Sequence, residues 1–507
     1  MGLVCALLLW GGMPARAAAQ AGIVACDPPA LQDGETALLR CRREGDPQGN
    51  PSWSQGEGPS ERRCPAVPTG RRLPVRPGLH CGTNGEEVWL WRTVEPVVRG
   101  SLRYLSWRKG DVWRLQAGDL LPDRLSHQGA AVTAIRWTDG WPPDAQPMAA
   151  ARSRSWLGGA VETSLEGGVL MVEMGGQDLR ARLFAELERL AGAGWSSPLR
   201  EVEIVTALRP GAASGRSDPG RVVVEVGSAA PAERVLEVFR HEVAHQLIGG
   251  RVRLLEAGVD ADWFLEGFAE YLGFAVVRDG AEGRAAVFRR FAEACGELER
   301  PGVPTPYDLG FLYAAATDGA LWRDAGTSLH ARLNAMAAEG TTVFGERSDF
   351  GGTDSRRSFF DELLNGITGA ARLRLEHWMR DREQPDISKL GEELGLTLRS
   401  ESVAWVSVPL VMRERRDGLF EVHEVFTGYR GHPVGVAPGD EVWPLDQLSG
   451  PKAPREVAIE VRRAGGWQRI RIPTVRGQQR RWRVVAADGV AARWFPAAAG
   501  QGSEGAQ

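Results

Sequence analysis

The chain reads as a multidomain α+β protein, on three observations. It has 507 residues, a length that calls for roughly two to four domains. Short strand-like runs fill its first and last parts, whereas helical patterns dominate residues 231–385. Hydrophobic residues make up 43% and charged residues 25%, the balance of ordinary globular material. Net charge is only −4 and neither half is strongly basic, so nucleic acid is not an expected partner.

Taken in order, residues 1–19 are expected to be a signal peptide. An apolar run from Leu3 to Trp10 is followed by small residues, and Ala17-Ala18-Ala19 before Gln20 fits a signal-peptidase site, although no basic stretch precedes the run. The expectation is an exported protein, periplasmic or extracellular. No other run approaches the ~18 apolar residues of a membrane span, so no transmembrane anchor is expected.

Residues 20–155 are expected to form a β-rich N-terminal domain. EVWLWRTV (87–94) and LRYLSWRKGDVWRLQ (102–116) alternate apolar residues, many of them Trp, and the Gly/Pro/Ser-rich stretch 44–79 reads as loops. Cys26, Cys41, Cys64 and Cys81 read as two disulfides with three pairings open, since no CxxC spacing suggests zinc. Cys295 reads as a buried thiol. Residues 156–278 are expected to form an α+β subdomain, with strands at 169–174, 200–208 and 221–226 and a helix at 178–193. Residues 279–388 read as a helical subdomain, 389–478 as a β-module, and 479–507 as an Ala/Gly-rich disordered tail.

The chemistry concentrates in RHEVAHQ, residues 240–246. A chance HExxH in a chain of this composition occurs roughly once in a hundred proteins, so context has to decide. Ser228 can cap a helix there, Pro231 suits its first turn, and Val235, Phe239 and Val243 recur at helical spacing up to the stop at Gly249-Gly250. His241 and His245, four apart, project from one face and can reach one metal ion. Zn2+ is the expected cofactor: it brings the pKa of a water it holds towards 7, and Glu242 is placed to take that water's proton. A third ligand is offered by DADWFLEGFAEYLGF (260–274), where Glu266 follows His245 by enough chain to turn back. Glu270 lies four residues on and can accept the other ring N–H of a ligand histidine, His241 being the first choice. Gly267 inside that helix allows a close backbone approach.

HEVAHQ followed by WFLEGFAEY resembles the gluzincin metallopeptidases, whose pattern is HExxH, a spacer, then EGxAxY. PTPYDLGFLYAAATDGALWRDAGTSLHARLNAM (304–336) and WMRDREQPDISKLGEELGLTL (378–398) resemble the corresponding segments of the glycyl aminopeptidase family, the second leading into a PDZ domain. The resemblance covers roughly residues 165–475. It implies a thermolysin-like catalytic domain with a helical lobe, one zinc, and hydrolysis near a peptide N-terminus. It also implies that Tyr307 donates to the oxyanion; on the residues alone Tyr307 is equally a loop packing residue. Where the family carries a Gly-rich edge strand with an amine-binding acid, this chain has RVVVEVGS, and Glu225 is the candidate substrate-binding carboxylate. Endopeptidase activity therefore stays open beside aminopeptidase activity.

GLFEVHEVFTGYRGHPVGVAPGDEVWPLDQLSG (418–450) resembles a PDZ domain, with Gly439-Asp440 as its turn and ELGLTL (393–398) as the carboxylate-binding loop and first groove strand. That implies a peptide C-terminus or extended strand as a partner, beside a peptide or protein substrate at the metal. The alternatives are a catalytically degenerate gluzincin that acts as a PDZ-type peptide-binding protein, and a zinc hydrolase acting on a non-peptide amide or ester.

Overall fold

The structure is a computed structural model. It describes residues 22–487 except 33–34, 45–52, 56–61, 67–78, 85–86, 95–105, 110–111, 128–129, 140–144, 153, 159–161, 167–168, 174–178, 193–194, 196–198, 209–210, 256–260, 276–279, 300–304, 339–341, 346–352, 355–357, 415–418, 426–434, 445–448, 451–454 and 465. The signal-peptide expectation for 1–19, with Cys5, lies outside the described residues. The chain divides into two compact units, one within Met1–Val97 and Leu105–Ala160, the other within Val98–Tyr104 and Val161–Gln507.

The first unit is β-rich. Its main sheet runs, neighbour to neighbour, through Arg62–Arg63, Trp53–Gln55, Leu125–His127, Ala130–Trp137, Gly22–Cys26, Thr36–Arg43, Glu87–Thr93 and His80–Asn84. The strand Ser155–Gly158 pairs with Val112–Gln116 in a second sheet. Trp53, Trp107 and Trp137 are fully buried and supply core volume rather than a ligand platform. The pairing is resolved as Cys26–Cys41 and Cys64–Cys81. Cys26 and Cys41 face each other directly across adjacent antiparallel strands. Two disulfides fit an exported protein. Among the described residues no helix is long and apolar enough to cross a membrane.

The second unit opens with a five-stranded sheet. In chain order its strands are β1 (Glu162–Glu166), β2 (Val169–Glu173), β3 (Glu201–Thr206), β4 (Ala213–Asp218) and β5 (Arg221–Val226). Their spatial order is β1-β2-β3-β5-β4, with β2, β3 and β5 parallel and the two edge strands antiparallel. Sequence reading finds β2, β3 and β5 through their Val/Ile runs and misses β4. Helix α1 (Arg180–Gly192) connects β2 to β3, and α2 (Ala232–Ala244) follows β5. Val235, Phe239 and Val243 of α2 are fully buried in the same core as Val222 and Val224 of β5. The helix starts later than expected: Pro231 occupies the N-cap position, with no capping side chain, so Ser228 does not cap it.

Next come a π-helical turn (Trp263–Phe268), α3 (Ala269–Ala275), α4 (Gly280–Leu298) and α5 (Pro306–Ala325). Helix α5 begins with Thr305 accepting from the Asp308 N–H and stops at Gly326 in the left-handed conformation, φ 62°. Tyr307 thus sits in a first helical turn, not in a loop. The π turn and α5 cross at two glycines. A Cβ on Gly310 would lie 1.9 Å from the Trp263 carbonyl oxygen, and one on Gly267 would lie 2.3 Å from the Gly310 Cα.

Beyond the helix Ile387–Leu394 the described residues form two further sheets. Leu410–Glu414, Phe420–Val425, Glu441–Pro444, Glu456–Arg463 and Gly466–Pro473 form a five-stranded meander around Val422, Val442, Val457, Ile459 and Ile472. Gly439 turns with φ 86° and Asp440 accepts the Ala437 N–H, as the Gly-Asp turn requires. The segment 393–398 is divided differently from expectation: Leu394 ends a helix, and Leu396–Ser407 pairs with Val475–Ala487, not with the meander. Between Pro444 and Glu456 the described residues contain only the two-residue strand Ser449–Gly450. The expected tail also differs, because residues 479–487 belong to the strand Val475–Ala487. Half-buried Trp482 and Val484 alternate there with exposed Arg481, Arg483 and Val485, a strand period that an Ala/Gly-rich composition hides.

Candidate active site

Helix α2 ends at the motif. His241 and Glu242 lie in its last turn, and His245 is the C-cap residue, still αR (φ −64°, ψ −18°), so both rings leave the same side. The helix is held from behind by Arg240, only 1% exposed, whose guanidinium reaches Glu186 of α1 at 3.2 Å and Glu233 at 3.1 Å. It is held in front by Gln246, whose amide donates to Ser217 Oγ (2.5 Å) and the Asp218 carbonyl (2.9 Å) and accepts from the Gly220 N–H (2.8 Å). That side chain ties the end of the motif to the β4–β5 turn.

Glu266 enters from the π turn. Its Oε2 is 3.3 Å from His241 Nε2 and 3.6 Å from His245 Nε2, and the two Nε2 atoms are 3.1 Å apart. Ligand atoms about 2.0–2.1 Å from a tetrahedral zinc are about 3.3 Å from one another. The donor set, two imidazole nitrogens and one carboxylate oxygen on a near-equilateral triangle, therefore fits zinc. On the other side of the ring, Glu270 Oε2 lies 3.2 Å from His241 Nδ1, the arrangement that leaves Nε2 to a metal. The π turn and the α3 that continues it send Glu266 and Glu270 to opposite nitrogens of one imidazole.

The electrostatics follow. Burial disfavours a charged His241, but its close pairing with Glu266 and Glu270 and the charge of Glu242 outweigh this and push it up to about 10 in the metal-free protein. Burial raises Glu266 and Glu270, and their pairing with histidine wins, holding Glu266 far below the usual carboxylate range and Glu270 down to about 2. Tyr307 stacks on the His241 ring, centroids 5.6 Å apart. Partial desolvation, then the neighbouring Glu266, raises its phenol above the ordinary tyrosine value although the side chain is 41% exposed, so it stays a proton donor.

These side chains line a cavity of about 560 Å3, with His241, Glu242, His245, Glu266 and Tyr307 on one wall. Its other wall is β4, all six residues of which, Ala213–Asp218, line it. A Cβ on Gly215 would lie 2.3 Å from Glu242 Cγ and 2.6 Å from its Oε1, so only glycine lets this strand pass so close to Glu242.

The structure thus brings His241, His245, Glu266, Glu270, Glu242 and Tyr307 together. It does not bring Glu225. That residue pairs with Ser214 across β4–β5, accepts its hydroxyl at 3.3 Å, is 4% exposed, and is not among the residues lining the cavity. Gly215 and Ser217 face α2, so Glu225, opposite Ser214, faces the other side of the sheet. Sequence reading missed Gly215, Gln246, Arg290 and Asp308. Only Gln246 carried a signal, its place directly after the motif.

The sequence matches no family profile and no curated protein. Among solved structures, it is similar to an aminopeptidase N family protein from Idiomarina loihiensis, with TM-score 0.54 and 13% identity, over 94% of this chain and 100% of that one. The chain has a distantly aminopeptidase-like fold. At that identity the likeness is one of fold, with a β-rich N-terminal region ahead of mixed helix and sheet.

Proposed function

We propose that the chain is an exported zinc-dependent metallopeptidase of the gluzincin type. The observation that carries this reading is the ligand triangle of His241, His245 and Glu266, with sides of 3.1, 3.3 and 3.6 Å, flanked by Glu242 and Tyr307. Zinc held there would supply Lewis acidity, acidifying water and polarising a carbonyl. Glu242, in the wall beside β4, takes the proton from the attacking water and passes it to the leaving amine. Tyr307, kept protonated, donates to the carbonyl oxygen as it gains negative charge. Glu270 holds the His241 ring in one tautomer and orientation. Strand β4 supports a peptide substrate, because an edge strand lining a cleft can pair with an extended chain.

Aminopeptidase specificity and a PDZ-like role for the C-terminal meander belong to the same proposal. The first is supported by the fold neighbour, the second by a five-stranded sheet with its own core. The test is metal analysis of the purified protein together with peptidase assays of Glu242→Gln. Stoichiometric zinc in both proteins, with activity only in the wild type, is expected. Absence of zinc and an unchanged Glu242→Gln would sink the reading. Free-amine and N-blocked peptides then divide aminopeptidase from endopeptidase: equal cleavage of both excludes the former.

A further inference from the structure

The metal ligands and Tyr307 come from different elements, yet one side chain is bonded towards both. Arg290 of α4 donates from Nε to Glu270 Oε1 at 3.0 Å and from Nη1 to Asp308 Oδ1 at 2.9 Å. Glu270 in turn holds His241. Asp308 follows Tyr307 directly and is bound to Thr305 twice: its N–H donates to the Thr305 Oγ1 at 3.2 Å, and its carboxylate accepts from the same hydroxyl. Tyr307 is therefore pinned on both sides, by Thr305 and Asp308. All three charged side chains are largely buried, with exposures of 13% for Arg290, 15% for Glu270 and 7% for Asp308. The guanidinium also lies 5.1 Å over the Phe311 ring, which fixes its plane.

We propose that Arg290 is a positioning residue that joins the metal site and the oxyanion donor into one unit. A guanidinium presents two donors at a fixed angle, so it sets the separation of the two carboxylates it bridges. One carboxylate sets the His241 ring, and the other sets the first turn that carries Tyr307. The inference rests on the metallopeptidase reading, which needs His241 and Tyr307 to act on the same carbonyl. It adds a residue that touches neither metal nor substrate. Lysine keeps the charge but lacks the fork, so it cannot hold both partners at their present spacing.

The test uses the full-length zinc-loaded protein and two variants, Arg290→Lys and Asp308→Asn. Zinc affinity is measured by competition with a chromophoric chelator, and kcat and KM with a peptide substrate. Arg290→Lys is expected to weaken zinc binding and to lower kcat, each by about tenfold to a hundredfold, with KM changed by less than about threefold. Asp308→Asn keeps the shape and the cap but weakens only the Tyr307 side. It is expected to lower kcat about tenfold and to leave zinc affinity unchanged. Wild-type zinc affinity and kcat in Arg290→Lys would overturn the proposal. So would an Asp308→Asn that loses zinc as Arg290→Lys does, or one with wild-type kcat. If Arg290→Lys does not fold, Asp308→Asn alone still decides by the same split. A wild-type protein that takes up no zinc overturns the metallopeptidase reading itself, whereas tight zinc in every variant removes only the role of Arg290.

Discussion

The cleft has two walls of opposite character. The helix wall, α2 with the π turn and α3, carries the side chains to which the proposal gives chemistry: His241, His245, Glu242, Glu266, Glu270 and, from α5, Tyr307. The strand wall, β4, reads ASGRSD, and what it offers the cleft is closeness. Its backbone passes Glu242 at a distance that a single methyl group would close. Acting groups must be particular residue types at particular spacings, whereas close approach only requires that something be missing. One wall is therefore written in the sequence as a motif, and the other as an absence.

The largest effect should come from the helix wall. Glu242→Gln keeps the shape of the side chain and removes the base, so kcat should fall on the order of 10²–10⁴-fold with zinc content unchanged. A smaller loss would assign the proton transfer to another group. The strand wall is tested next by Gly215→Ala. The new Cβ meets the Glu242 side chain, not backbone, so the carboxylate should yield and the fold should hold. The expected result is a kcat about 10- to 100-fold lower with a thermal midpoint near that of the wild type. An active Gly215→Ala would show that the strand wall need not be so close.

A third measurement concerns the charge on the helix wall. In the metal-free protein, His241 has a pKa raised to about 10, so its proton stabilises the fold below an unfolded value near 6.5, and that contribution is lost as pH rises through 10. Zinc needs the neutral ring, so the proton competes with it across this window. Zinc affinity should rise about tenfold per pH unit between about pH 7 and pH 9 while one proton is displaced. A flat profile in chelator competition would mean that His241 is already neutral. The smallest effect should come from the joint between the walls. Gln246→Ala leaves the Gly220 N–H without its acceptor and frees the β4–β5 turn, at a cost of about 1–2 kcal/mol in urea unfolding. No change would mean that the turn holds itself.

The same contrast explains what could be read in advance. β2, β3 and β5 were legible because buried parallel strands are Val/Ile-rich, and α2 because Val235, Phe239 and Val243 keep the helical period. His241, His245, Glu242 and Glu266 are legible because a metal-ligand motif restricts residue type and spacing together. β4 is not, since Ala213, Ser214, Gly215 and Ser217 have neither alternation nor strand preference, so the expectation falls on the neighbouring Val-rich β5. Glu225, the candidate on that strand, lies on the face of the sheet turned from α2, outside the cavity lining. The bridge from Glu270 through Arg290 to Asp308 was invisible for another reason: its members lie 18 to 20 residues apart on three helices, and only packing brings them together.

One feature of the first unit bears on how the chain becomes a protein at all. The two disulfides join neighbours in sequence, Cys26 to Cys41 and then Cys64 to Cys81, so neither bond encloses or crosses the other. Along a chain that meets an oxidant from its N-terminal end, the first pair of these four thiols is complete before the third emerges. On such a chain, order of arrival alone would favour the native pairing among the three that are possible.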